Sequence, residues 1–219
     1  MAHLVQNLDV LNELDTGDLI LCNGNGVFSD FVKITTKSKW THVGIVLRDP
    51  DFLLLLPPQK GLFLYNSDGK YEVDIEAHKK IFGVQINELI HMVDNYDGEV
   101  YARKLNTKLT REEMDEKFKT IYNTEYHKPY DWLPQDLIAT FAERHGCKVA
   151  DFVVDPRRVD RIFCSALVGF CYTQMGLLKP STEWGTMYPD DFSKLETLFD
   201  GSTLGSIIPI KAQEVKENV

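Results

Sequence analysis

Paired cysteines, long apolar runs and an excess of basic charge are all missing from this chain, and each absence excludes something. Four cysteines (Cys22, Cys147, Cys164, Cys171) show no C-x-x-C spacing, so a structural zinc site has no support and no metal is expected. The longest apolar run, Phe52-Leu-Leu-Leu-Leu56, is far too short to span a bilayer and stops at Pro57-Pro58. The start, Met1-Ala-His-Leu-Val-Gln-Asn7, has no basic stretch followed by an apolar one, so no signal peptide is expected. With 24 Lys and Arg against 33 Asp and Glu, the net charge is −9, which argues against nucleic acid as a partner. Repeats, low-complexity tracts and a dividing linker are lacking as well. The expectation is one domain over residues 1–219, with a core at about 14–210 and a mobile polar tail at 211–219. Free thiols suit a reducing compartment, hence a cytoplasmic or otherwise intracellular protein.

What is present is ample apolar material, 43% of residues with 12 Phe and 9 Tyr, enough for a packed core. Leu19-Ile-Leu-Cys22 after the turn Thr16-Gly-Asp18 reads as a buried strand. Val27, Phe31 and Ile34 fall at helical spacing. Thr41-His42-Val-Gly44-Ile-Val-Leu47 is β-branched and predicts a strand. Alternation then puts Thr41, Val43, Ile45 and Leu47 on one face and His42, Gly44 and Val46 on the other. A histidine beside a glycine on a strand is expected to have open space over it. Leu62–Ser67 is the natural antiparallel partner, ending at Asp68-Gly69. Residues 72–92 suggest a helix weakened by Gly83, and Gly98–Leu105 another strand. Thr110-Arg-Glu-Glu113 opens a helix with capping-box character, and Leu133 to about His145 is expected to be helical after Pro134. Gly205–Ile210 suggests an edge strand.

Arg161-Ile-Phe-Cys164-Ser165-Ala-Leu-Val predicts an extended approach, a cysteine and then an apolar helix closed by Gly176. A thiol on the first turn of a helix faces unpaired backbone N–H groups and the positive end of the helix dipole, a setting that favours thiolate chemistry.

Several spaced segments together resemble the circularly permuted branch of the NlpC-like, papain-fold proteins. That branch includes YiiX-like and poxvirus members and, more distantly, the lecithin–retinol acyltransferase group. The segments are Thr16-Gly-Asp18-Leu-Ile-Leu, Trp40-Thr-His42-Val-Gly44-Ile-Val, His127-Lys-Pro-Tyr130-Asp-Trp132, Phe163-Cys164-Ser165-Ala-Leu-Val with Met175-Gly176, and Tyr188-Pro-Asp190-Asp-Phe. The resemblance implies an α+β, permuted papain-like fold, with a small antiparallel sheet bearing the histidine packed against the helix that begins at the cysteine. It implies Cys164 as nucleophile and His42 as its base. Many relatives carry a glutamate on the strand after the histidine strand. This sequence has Asn66 there, with Asp68 second in rank. Asparagine can orient an imidazole but cannot stabilise an imidazolium as a carboxylate does. The Cys164 backbone N–H is the natural oxyanion donor, with Tyr130 and Ser165 as further oxyanion or substrate-binding candidates and Ser165 also as a helix cap. Cys22, Cys147 and Cys171 are expected to pack.

The activity implied is a cysteine hydrolase that cleaves a peptide or amino-acid amide through an acyl-enzyme, without a cofactor. A lipid acyl hydrolase or acyltransferase using the same pair, or a binding module that keeps the fold, are the alternatives. A virion location goes with a viral source, and oligomeric state is not legible.

Overall fold

Strands β2 (Leu19–Gly24) and β3 (His42–Arg48) are apolar on both faces, and so they occupy the middle of a sheet rather than its rim. The computed structural model describes residues 4–53, 58–129 and 162–213. They form a mixed α+β fold around one seven-stranded antiparallel sheet in the order β1-β7-β6-β2-β3-β4-β5. The remaining strands are β1 (Leu4–Gln6), β4 (Leu62–Asp74), β5 (Lys79–Glu88), β6 (Gly98–Asn106) and β7 (Thr203–Gln213). Among the described residues six α-helices surround it. These are α1 (Asp9–Asn12), α2 (Val27–Thr36), α3 (Leu89–Asn95), α4 (Arg111–Glu125), α5 (Cys164–Gln174) and α6 (Pro189–Lys194).

Each face of the sheet has its own core. Leu19, Leu21, Val43, Ile45, Leu47, Phe63 and Tyr65 point to the face that α4 and α5 cover through Phe118, Ile121, Leu167, Val168, Cys171 and Tyr172. Ile20, Cys22, Val46, Leu64, Val100 and Ala102 point to the other, where Leu89, Met92 and Val93 of α3 close over them. The alternation expected along β3 is the pattern observed, because a strand buried on two sides must serve two cores in turn.

Several boundaries match. Thr110 caps α4 in a reciprocal box with Glu113, bonded both ways at 2.8 and 3.2 Å. Others need correction. Residues 72–92 are not one helix: β4 runs on to Asp74, β5 follows, and only Leu89–Asn95 is helical. The pattern Val84-Gln85-Ile86-Asn87 has period two, and that outweighs the helical composition around it. Asp68 accordingly lies within β4, pairing with Gly83, next to a register shift before Glu72. The C-terminal strand is not an edge. It sits between β1 and β6 and extends to Gln213, so residues 211–213 of the expected tail are ordered sheet. Lys211 explains part of this. Its Nζ donates to the carbonyls of Val93 (3.0 Å), Asp94 (3.1 Å) and Tyr96 (2.8 Å), neutralising the C-terminal end of α3. The expected helix from Leu133, Cys147, and residues 214–219 lie outside the described residues.

Candidate functional site

Cys164 is the first residue of α5, preceded by Phe163 in extended backbone at the N-cap, which makes no side-chain cap bond. The helix starts here because the chain arrives extended and pinned. Ile162 N donates to Pro129 O at 3.2 Å, and Ser67 Oγ of β4 donates to Ile162 O at 2.6 Å. Cys164 is 4% exposed. Ser165 is not the helix cap. Its Oγ donates to Met187 O at 2.7 Å and ties the first turn of α5 to the loop before α6. Cys171 is wholly buried in the larger core, and burial pushes its thiol well above the usual range, so it stays a packing thiol. Cys22 packs in the smaller core.

His42 opens β3, pairs with Cys22 across the sheet and is 8% exposed. Its Nε2 lies 3.2 Å from Asn66 Oδ1 on the neighbouring strand β4. The space over Gly44 is not open, contrary to the expectation. A Cβ placed there would come within 2.7 Å of Leu64 Cδ1 and 3.1 Å of Asn66 Cβ. The missing side chain at Gly44 is what lets Asn66 come in beside His42. Asn66 Nδ2 in turn donates to Asn87 Oδ1 of β5 at 2.9 Å. The structure thus joins His42 to Asn66 directly, and Asn66 to a residue that motif reading passed over.

The link from Cys164 to this pair is positional. Helix α5 packs on β3 and β4. His42 and Asn66, however, sit on the α3 face, whereas the apolar flank of α5 lies on the other. His42 is itself the first residue of β3, at the end of the sheet that also holds Cys22. Tyr96, at the C-cap of α3, stands at that end. Burial, then the neighbouring Cys22, then Asp68 and Cys164 raise its phenol well above the usual value, opposed by a hydrogen bond with Thr41. Its hydroxyl occupies the space where Gly24 lacks a Cβ, 2.7 Å from where that atom would be. A phenol so raised stays protonated, and it lies within electrostatic reach of Cys22, Asp68 and Cys164. Tyr96 carried no motif signal, because a tyrosine closing a short helix looks like any core aromatic. Tyr130 lies outside the described residues.

Among the described residues no group of three or more His, Cys, Asp or Glu side chains is placed to hold a metal. No helix among them is long and apolar enough to cross a membrane.

No family model matches the sequence, and no curated protein does. A solved structure, that of the metalloprotein YiiX from Escherichia coli O157:H7, is similar in backbone with a TM-score of 0.48 at 16% identity. The alignment covers 93% of this chain and 97% of that one.

Proposed function

We propose that the protein is a cysteine hydrolase acting on an amide carbonyl, with Cys164 as nucleophile, His42 as base and Asn66 as the group that orients the imidazole. The observation that carries this reading is the His42 Nε2–Asn66 Oδ1 bond at 3.2 Å, buried at the end of the sheet where the cysteine helix approaches β3 and β4. A histidine held by one ring nitrogen presents the other in a set direction, which proton transfer requires.

In this scheme the thiol meets the imidazole at the start of β3, where His42 stands. The Cys164 thiol proton passes to His42 Nδ1 as sulfur attacks the carbonyl carbon. The imidazolium then returns a proton to the departing amine as the C–N bond breaks, leaving a thioester on Cys164. A water molecule, giving its proton to His42, attacks that thioester and releases the acid and the thiol. The backbone N–H of Cys164, on the first turn of α5, is suited to the oxyanion.

Iodoacetamide labelling tests the pair. At pH 7, Cys164 of the wild-type chain is expected to react about ten- to a hundredfold faster than in His42→Ala, in the range of a lost general base. Slow labelling at the same rate in both proteins would sink the reading. Incubation with peptide amides and with phospholipids, followed by intact mass, then assigns the acyl donor: a stable adduct on Cys164 from lipid alone would replace amide by ester as the substrate class.

A further inference from the structure

Strands β4 and β5 carry three carboxamides in series, and all three are buried: Asn66 1%, Asn87 4% and Gln85 0% exposed. The far end is tied to backbone. Gln85 Nε2 donates to Gly83 O at 3.3 Å and Ile81 O at 3.4 Å. Gln85 Oε1 accepts from Asn87 Nδ2 at 3.0 Å, and the same nitrogen donates to Val73 O at 3.0 Å. Asn87 Oδ1 accepts from Asn66 Nδ2 at 2.9 Å, which also faces Leu64 O at 3.4 Å. Carbonyl oxygens accept and never donate, so each amide nitrogen is identified by the backbone oxygen it meets. That leaves Asn66 Oδ1 as the atom facing His42 Nε2. An acceptor there requires a donor, so Nε2 carries the proton and Nδ1 is the basic nitrogen.

We propose that Asn87 and Gln85 are positioning residues that lock His42 in its Nε2–H tautomer through Asn66. The role assigned to Nδ1 rests on the reading of His42 as the base. The alternative tautomer needs Asn66 to turn over, which sets its oxygen against Asn87 Oδ1 and Leu64 O in a buried site. Turning Asn87 as well only moves the conflict to Val73 O and Gln85 Oε1. Turning all three ends at backbone carbonyls that cannot turn. Each unmatched buried pair leaves two acceptors facing one another without a proton between them, which disfavours the alternative enough for a single dominant tautomer. The amide dipoles also align, oxygen ends toward His42, so hydrogen bonding polarises the row in the direction that favours positive charge on the ring. A neutral row thereby supplies part of what a carboxylate would.

Nitrogen-15 NMR of the imidazole in the full 219-residue chain reads the tautomer directly. In the wild-type protein at neutral pH, Nε2 should show the protonated signature and Nδ1 the unprotonated one. The opposite assignment overturns the proposal without any variant. In Asn87→Leu, a second tautomer should become visible, and Cys164 labelling should slow about five- to tenfold, the size of one lost hydrogen bond. Gln85→Met should do the same more weakly, about two- to threefold, because Val73 O still holds Asn87. Folded variants that keep the wild-type tautomer overturn the proposal. Should the tautomer shift as described while wild-type labelling proves independent of His42, the lock stands and the hydrolase reading fails.

Discussion

Two buried polar groups brace the same central strands, and their chemistry is opposite. Beside His42 the sheet uses amides, which never ionise. Beside the start of β2 it uses Asp18, a carboxyl 2% exposed, whose Oδ2 accepts from Asp15 N at 2.8 Å and Oδ1 from Leu105 N at 2.7 Å. Burial, the largest influence, lifts Asp18 to about 6 against the pull of those two backbone bonds. Nearby, Gly17 donates to Val46 O, and Tyr172 of α5 donates to Gly17 O. The Asp18 turn is thus a clamp on β2, β3, β6 and α5, and its strength depends on pH. The amide row gives direction that pH does not alter.

The largest effect expected is from removing the clamp. Asp18→Ala leaves the N–H groups of Asp15 and Leu105 without that acceptor and should lower stability by about 2–4 kcal/mol at pH 5, read from urea midpoints. A smaller loss at pH 7 follows from the second prediction. A carboxyl whose folded value, about 6, exceeds its ordinary 3.8 binds its proton first in the folded chain. Its contribution is therefore full below about 4 and is lost as pH rises toward about 6, by roughly 2–3 kcal/mol. Comparing wild type with Asp18→Asn across that window isolates this slope from other carboxyls, and no difference between the two curves would contradict it. Third, Asn66→Leu should destabilise by about 1–3 kcal/mol, since His42 Nε2–H and Asn87 Oδ1 both lose the partner they have in Asn66. Unlike the clamp, Asn66 has no proton to gain or lose, so the side chain removed adds no pH-dependent loss of its own. The smallest effect is that of Gly44→Ala, about 1 kcal/mol. The new Cβ meets the movable tip of Leu64 and crowds Asn66, so Cys164 labelling should fall while the fold persists.

Much of this was legible beforehand, for identifiable reasons. The strand around His42, the helix beginning at Cys164 and the cap at Thr110 each rest on short-range rules: β-branched alternation, an apolar helical run and a reciprocal side-chain box. Asn66 was also named, but only because the family resemblance points to the strand after the histidine. Asn87 and Gln85 were not, because they stood in a stretch whose composition suggested a helix. Their signal was the period-two pattern of Val84 and Ile86, with polar residues between. Lys211 was missed likewise, since a lysine near a chain end looks solvated until three carbonyls converge on it.

Sequence alone determined that the segments around Leu19 and His42 extend, that a cysteine stands at a helix start, and that His42 and Val43 face opposite ways. Those features depend on neighbours a few residues apart. Only the tertiary structure decided that Asn66 reaches His42, that a row of amides sets its proton, and that α5 covers the face His42 does not share. Each of these depends on strand register, and register joins residues that the chain keeps 20 or more positions apart, as His42 and Asn66 show with a separation of 24.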